Sequence, residues 1–289
     1  MLDVLGRPPT EAQRIPTKAR SRLRRSLSGA AFALTPAEIE AFFEIGYVRI
    51  DGVFDAAEVE AMRSACDRLH AMAEALGASG MHPATWMHHG SQFVLGRRPE
   101  GGVRIDRIVW CGAAEPALLD EGRDPRLLAM AAQLLGGRQM QQLINQVHFK
   151  IPGDGVEFPW HQDSLHRRYG TPEWCDVNGR GSYVQIVTAL DACTLDNGPL
   201  LFVAGSCRHG HIAVEADQKL PDRYIEAERV STVTMPAGSV VLFGPYTIHG
   251  STQNRSSQAR RLFINGYAAM AANTRVYPGE GSGRILTAP

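Results

Sequence analysis

His161 and Asp163 stand two positions apart in Pro159-Trp160-His161-Gln162-Asp163-Ser164, and His249 follows much later in Tyr246-Thr247-Ile248-His249-Gly250-Ser251. On an extended strand, side chains at i and i+2 share a face with Cα atoms roughly 6.5–7 Å apart, so His161 and Asp163 can grip one ion together. A distant segment must supply the third ligand. Two imidazoles and one carboxylate on one face of an octahedron leave the opposite face open, the ligand set of non-heme iron(II) oxygenases. These three residues are the expected metal ligands and catalytic centre.

The spacing His-x-Asp carries little information alone, since with ten histidines in the chain it arises by chance in roughly one case in three. The surroundings carry more. Eleven positions beyond His249 lies Arg260, in Ser257-Gln258-Ala259-Arg260-Arg261-Leu262-Phe263-Ile264-Asn265, which reads as a strand after a polar turn. A hairpin-like return would carry Arg260 back toward the metal, where its planar fork can hold a carboxylate bidentately. That carboxylate would belong to a cosubstrate. Neighbours on a strand face opposite sides, so only one of Arg260 and Arg261 can point inward.

The order Leu34-Thr35-Pro36-Ala37-Glu38, Gly46-Tyr47-Val48, His161-Gln162-Asp163, Asp196-Asn197-Gly198-Pro199-Leu200, Gly205-Ser206 and His249-Gly250-Ser251 resembles the phytanoyl-CoA dioxygenase-like family of Fe(II)/2-oxoglutarate enzymes, which includes ectoine hydroxylase. The resemblance covers about residues 34–275. It implies a mainly β fold with flanking helices around a double-stranded β-helix, a jelly-roll or cupin-like core. It further implies that His161, Asp163 and His249 bind Fe(II), that Arg260 binds the distal carboxylate of 2-oxoglutarate, and that Ser251 assists it. Dioxygen is the other cosubstrate. In such a family, decarboxylation of 2-oxoglutarate to succinate and carbon dioxide is coupled to oxidation of a substrate C–H bond, most simply its hydroxylation. Asp163 argues against halogenation, which needs that position free of a carboxylate.

A non-oxidative, metal-dependent jelly-roll isomerase or cupin-like binding protein would also account for strands and a metal. It would not account for Arg260. A catalytically dead relative would have lost a ligand, and none is lost here.

Other residues join the candidates by pattern. In Gln146-Val147-His148-Phe149-Lys150 the polar side chains share one strand face upstream of the metal motif. His148 is expected to line the cosubstrate pocket and Gln146 the substrate pocket. Gln185, polar within the apolar run Tyr183-Val184-Gln185-Ile186-Val187, needs a partner and is expected to bond the cosubstrate. Between Asp163 and Tyr183 a polar, Gly-containing stretch is long enough to form a loop over the open metal face, with His166 and Trp174 as substrate contacts. Arg104, in the alternating run Arg104-Ile105-Asp106-Arg107-Ile108-Val109-Trp110, is placed at a pocket edge.

Thr35-Pro36-Ala37-Glu38 opens a helix with an N-cap, Pro at N1 and Glu at N3, running to about Ile45. Tyr47–Ile50 is a short strand. Val59, Met62, Ala65, Leu69 and Met72 mark a second helix over about 55–76, and Pro125–Leu135 a third, closed by Gly136-Gly137. Residues 80–102 read as a loop, and from Gln139 onward the chain becomes strand and turn.

At 289 residues with formal net charge zero, the chain offers no electrostatic reason to bind nucleic acid or an anionic membrane. No apolar run reaches the ~18 residues of a membrane span. A small molecule is the expected partner, with self-association left open. Five cysteines, odd in number and without CxxC spacing, suggest free thiols in a reducing, cytoplasmic compartment. Residues 1–33 are rich in arginine and read as a basic arm rather than a transit peptide, and residues 34–289 as one dioxygenase domain.

Overall fold

The computed structural model describes residues 32–78, 84–214 and 219–289. Nearly all of the basic arm, and His82, lie outside them.

Helix α1 spans Pro36–Glu44 and begins with a full capping box, in which Thr35 accepts from the Glu38 amide and the Glu38 side chain accepts from the Thr35 amide. Strand β1 (Tyr47–Ile50) follows. Helix α2 (Ala56–Gly77) carries the same device at Asp55 and Glu58, and buries Val59, Met62, Ala65, Cys66 and Leu69 along one stripe. Residues 80–102, expected as a loop, instead contain β2 (Ala84–His88) and β3 (Ser91–Arg97), which lead into β4 (Val103–Val109). Gly and His punctuation hid the alternation. His89 and Gly90, both at positive φ, form the two-residue turn that joins β2 to β3, and Phe93 and Leu95 face the core.

Two more helices, α3 (Pro116–Glu121) and α4 (Pro125–Leu135), precede the long strand β5 (Gln139–Lys150). Helix α3 was not foreseen in the sequence. Gly136 closes α4 in the left-handed conformation, a backbone that a side chain would strain. Then come β6 (Phe158–His161), α5 (Asp163–His166), β7 (Tyr183–Ala189), β8 (Leu200–Val203), β9 (Val230–Val233), β10 (Val240–Phe243), β11 (His249–Ser251), β12 (Arg260–Ala269) and β13 (Arg284–Thr287).

The strands form two antiparallel sheets. The larger runs β1-β10-β7-β12-β5-β4-β3-β2, with β13 added on β5, and the smaller runs β6-β11-β8-β9. This is the jelly-roll, double-stranded β-helix architecture. Helices α2 and α4 pack on the larger sheet, while a cavity lined from both sheets occupies its other face. Burial on both faces explains why β7 and most of β12 read as near-continuous apolar runs. A polar network pins α3 to the sheet: Asn145 on β5 donates to Leu118 O at 3.0 Å and accepts from the Gly112 amide at 2.9 Å, and it also donates to Asn265 on β12. All five cysteines are free thiols, and among the described residues no helix is long and apolar enough to cross a membrane.

Candidate active site

His161 ends β6 and His249 begins β11, and the antiparallel pairing sets them directly opposite each other. Their ring centroids lie 4.2 Å apart. Nδ1 of His161 donates to Pro159 O at 2.7 Å and Nδ1 of His249 to Thr247 O at 2.9 Å. A carbonyl can only accept, so each Nδ1 carries the proton and each Nε2 keeps its lone pair for a metal. Burial, reinforced by the neighbouring His161, brings the His249 imidazole down to about 3, so the ring stays neutral and able to ligate.

Asp163 does not lie within the strand, as the i, i+2 argument assumed, but opens α5. The same-side relation survives because Gln162 between them is still extended, at φ −111° and ψ 141°. Gln162 points the opposite way and locks this corner, donating to Gly210 O and Tyr246 O and accepting from the Ile212 amide. Burial pushes the Asp163 carboxyl up, but His249, Arg167 and His161 outweigh it and hold it below the usual carboxylate range. Asp163 Oδ2 is buried with no hydrogen-bond partner. Ligand atoms of His161, Asp163 and His249 all lie within 4.8 Å of one another. An orphaned carboxylate oxygen facing two free imidazole nitrogens fits a divalent metal with further open positions. His148, the conceivable fourth ligand, is outside this group.

The cavity beside the triad measures about 400 Å³. Arg260, 1% exposed, lines it, with Nη2 donating to Gly198 O at 2.5 Å and Nε unpaired. Arg261 faces away, bound to Asp191 at 2.9 Å and Asp67 at 2.6 Å. Ser251, also in the lining, accepts from Lys150 Nζ at 2.7 Å, which leaves its own hydroxyl proton free to donate. Lys150 sits opposite Arg260 in the β5–β12 register, and among the described residues its amine has only Ser251 and Thr252 O as hydrogen-bond partners. Burial, then the charge of Arg260, pulls its amine down to about 6. The sequence put Lys150 on the Gln146–His148 face without assigning it a part.

His148 lines the cavity, stacked on Phe158 at 4.6 Å and accepting at Nε2 from the Gln146 amide at 3.0 Å. Burial, with Arg107, Arg260 and Lys150 nearby, keeps it well below the ordinary imidazole value and so neutral. Gln185 accepts from the Tyr183 hydroxyl at 2.6 Å, leaving its amide group to the cavity. Of the expected substrate contacts, Gln146 and His166 reach the cavity lining. Trp174 and Arg104 do not. Trp174 is buried against Tyr169 at 4.6 Å in the apolar core, and Arg104 is spent on Asp106 at 2.7 Å. A bulge brings in Arg107: Val94 pairs with Arg107, Leu95 with Ile105 and Gly96 with Arg104, so Asp106 is an extra residue that puts Arg107 on the same face as Arg104, and of the two it is Arg107 that enters the lining. Strict alternation could not reveal this. Arg167, in the polar stretch after Asp163 that was expected to cover the metal face, lines the cavity too, as do Arg275 and Tyr277, which were not singled out in the sequence.

Comparison with known proteins agrees with this geometry. The family model of phytanoyl-CoA dioxygenase (PhyH) matches residues 42–262. The chain is 31% identical over 203 residues to L-proline trans-4-hydroxylase of Streptomyces griseoviridis, covering 62% of this chain and 72% of that one. It is 26% identical over 265 residues to ectoine dioxygenase of Bordetella parapertussis, covering 83% and 77%. Among solved structures, EctD from S. alaskensis with 2-oxoglutarate and 5-hydroxyectoine superposes at a TM-score of 0.63, with 22% identity over 87% of this chain and 82% of that one. The carbocyclase SnoK from nogalamycin biosynthesis gives a TM-score of 0.61 at 19% identity, covering 88% and 97%. The fold and site define an iron- and 2-oxoglutarate-dependent dioxygenase. The chain belongs to the phytanoyl-CoA dioxygenase family.

Proposed function

We propose that this enzyme hydroxylates a C–H bond of a small polar metabolite, releasing succinate and carbon dioxide from 2-oxoglutarate. The observation that carries the reading is the convergence on one cavity of the His161–Asp163–His249 donor set and the buried, incompletely paired Arg260. Iron(II), held by those three residues, would supply the oxygen-activating chemistry. Everything else is positioning.

In this reading Arg260 and the Ser251 hydroxyl hold the distal carboxylate of 2-oxoglutarate, a fork-to-carboxylate pairing that fixes orientation as well as affinity. Lys150 aims Ser251 by occupying its lone pair. His148, neutral and stacked on Phe158, borders the cosubstrate with Gln185, whose amide is oriented by Tyr183. Apolar walls from Val187, Phe243, Leu262 and Ile264 exclude water from the reacting centre. The relatives' activities, proline hydroxylation and ectoine dioxygenation, support hydroxylation of a small molecule here. A cupin-like isomerase would leave Arg260 with no charge to hold.

Succinate formation dependent on iron(II), 2-oxoglutarate and dioxygen tests the proposal. Its absence from iron-loaded protein across a broad screen of small metabolites would refute it.

A further inference from the structure

Five arginines line the cavity, Arg107, Arg167, Arg168, Arg260 and Arg275, against the single carboxylate of Asp163. On the reading above, iron(II), Asp163, Arg260 and the two carboxylates of 2-oxoglutarate cancel one another. Arg168 is satisfied by Glu173 at 3.0 Å. Arg107, Arg167 and Arg275 are then left facing the cavity without a counter-charge among the described residues. Low dielectric makes uncompensated charge there costly, so an anion is the natural occupant.

Arg167 differs from the other two. It is 94% buried by exposure of 6%, whereas Arg107 is exposed and Arg275 is half-buried and donates to His166 O at 2.9 Å. Its guanidinium lies 5.0 Å from the ring centre of Tyr183 and 5.3 Å from that of Tyr277, and its Nε has no partner among the described residues. Ring faces stabilise a cation without consuming its in-plane donors. The backbone is fixed as well: the Arg167 amide donates to Asp163 O at 3.0 Å, and Arg168 reverses the chain at φ +64°. The guanidinium is thus held stiffly, so little entropy is lost when it binds.

Position separates it from the cosubstrate clamp. Arg260 starts β12 beside Lys150, whereas Tyr183, which carries Arg167, pairs with Ala268 near the other end of that strand. We propose that Arg167 is the specificity-determining residue of the substrate half of the cavity, receiving a carboxylate of the prime substrate on its two-tyrosine platform. The enzyme therefore takes a small carboxylic acid, held by that group so that a C–H bond elsewhere on it faces the triad.

This inference rests on the oxygenase reading, so 2-oxoglutarate binding to the iron(II)-loaded parent chain is measured first, without oxygen. If 2-oxoglutarate does not bind, the oxygenase reading itself fails, whatever Arg167 does. Given binding, calorimetry on the same complex compares L-proline, L-pipecolate, benzoate and cyclohexanecarboxylate, each beside its methyl ester, with phenyl phosphate as a further probe. At least one acid should bind at least about tenfold more tightly than its ester, Arg167→Gln should abolish that preference, and Arg167→Lys should restore part of it. Four acids no tighter than their esters, or phenyl phosphate tighter than all of them, overturns the carboxylate assignment. A preference that persists in Arg167→Gln, or that is lost in Arg107→Gln or Arg275→Gln but not in Arg167→Gln, overturns the assignment to Arg167. The acid–ester comparison on the parent chain stands even if Arg167→Gln does not fold.

Discussion

Two adjacent arginines with opposite surroundings are expected to divide cosubstrate binding from stability. Arg260 is buried in the cavity lining, and Arg261 is tied to Asp191 and Asp67 on the far face. Arg260→Ala should weaken 2-oxoglutarate binding by about 2–5 kcal/mol, because a bound carboxylate loses its charge partner in a dry site. Arg261→Ala should leave that affinity nearly unchanged and lower unfolding stability by about 1–3 kcal/mol through its lost charged hydrogen bonds. Cosubstrate titration beside urea melts of both variants checks the pair, and a larger affinity loss in Arg261→Ala would reverse the assignment. Lys150 supplies a pH dependence. Its amine is pulled down to about 6 in the fold, so between that pH and the ordinary lysine range the unfolded chain binds more protons than the folded one. Its contribution to stability therefore rises with pH over that window, by at most about 1.4 kcal/mol per pH unit. Lys150→Met should flatten this slope in denaturant melts at pH 7 and pH 9, and identical slopes in the two proteins would show that Lys150 stays charged.

At the scale of elements, the site depends on how three β-strands are brought together. β6 and β11 set the two histidines opposite each other, and β12 delivers Arg260 from the other sheet. The larger sheet is braced from behind by the polar links of Asn145 to α3 and to β12. Asn145→Ala leaves the Gly112 amide and Leu118 carbonyl without a partner in the interior, and should destabilise the protein by about 2–3 kcal/mol. The metal donor set would be unchanged. A thermal melt and an iron titration would test both halves, and a variant that lost iron while keeping its stability would contradict this division.

Across the whole molecule, the metal would act as a clamp on the smaller sheet, since His161 and Asp163 reach it from one side and His249 from the other. Binding to the folded state alone stabilises by mass action, by about 2.7 kcal/mol when free metal is a hundredfold above its dissociation constant. Iron(II) added without oxygen should raise the melting temperature of the parent chain, and chelation should reverse the rise. His161→Ala, Asp163→Ala and His249→Ala should each lose the response together with turnover, while the metal-free melting temperature changes little. A variant that kept both the metal-induced rise and full turnover would remove that residue from the ligand set.

The sequence by itself determined the chemistry and much of the local structure. Metal-ligand types at fixed spacing, the capping box at Thr35, and Gly136 after α4 are statements about a few neighbouring residues, whose physics is short-ranged. It could also state that one of two adjacent arginines faces inward. What only the tertiary structure decided are matters of register and of distant neighbours. The bulge at Asp106 turned Arg107 onto the face of Arg104 and into the cavity, because one extra residue re-aims the side chains beyond it. Trp174 went to the core because Tyr169 and Tyr183 pack beside it, and Lys150 gained its significance only when β12 placed Arg260 next to it. The platform under Arg167 joins residues of three separate segments, and no local pattern encodes their meeting.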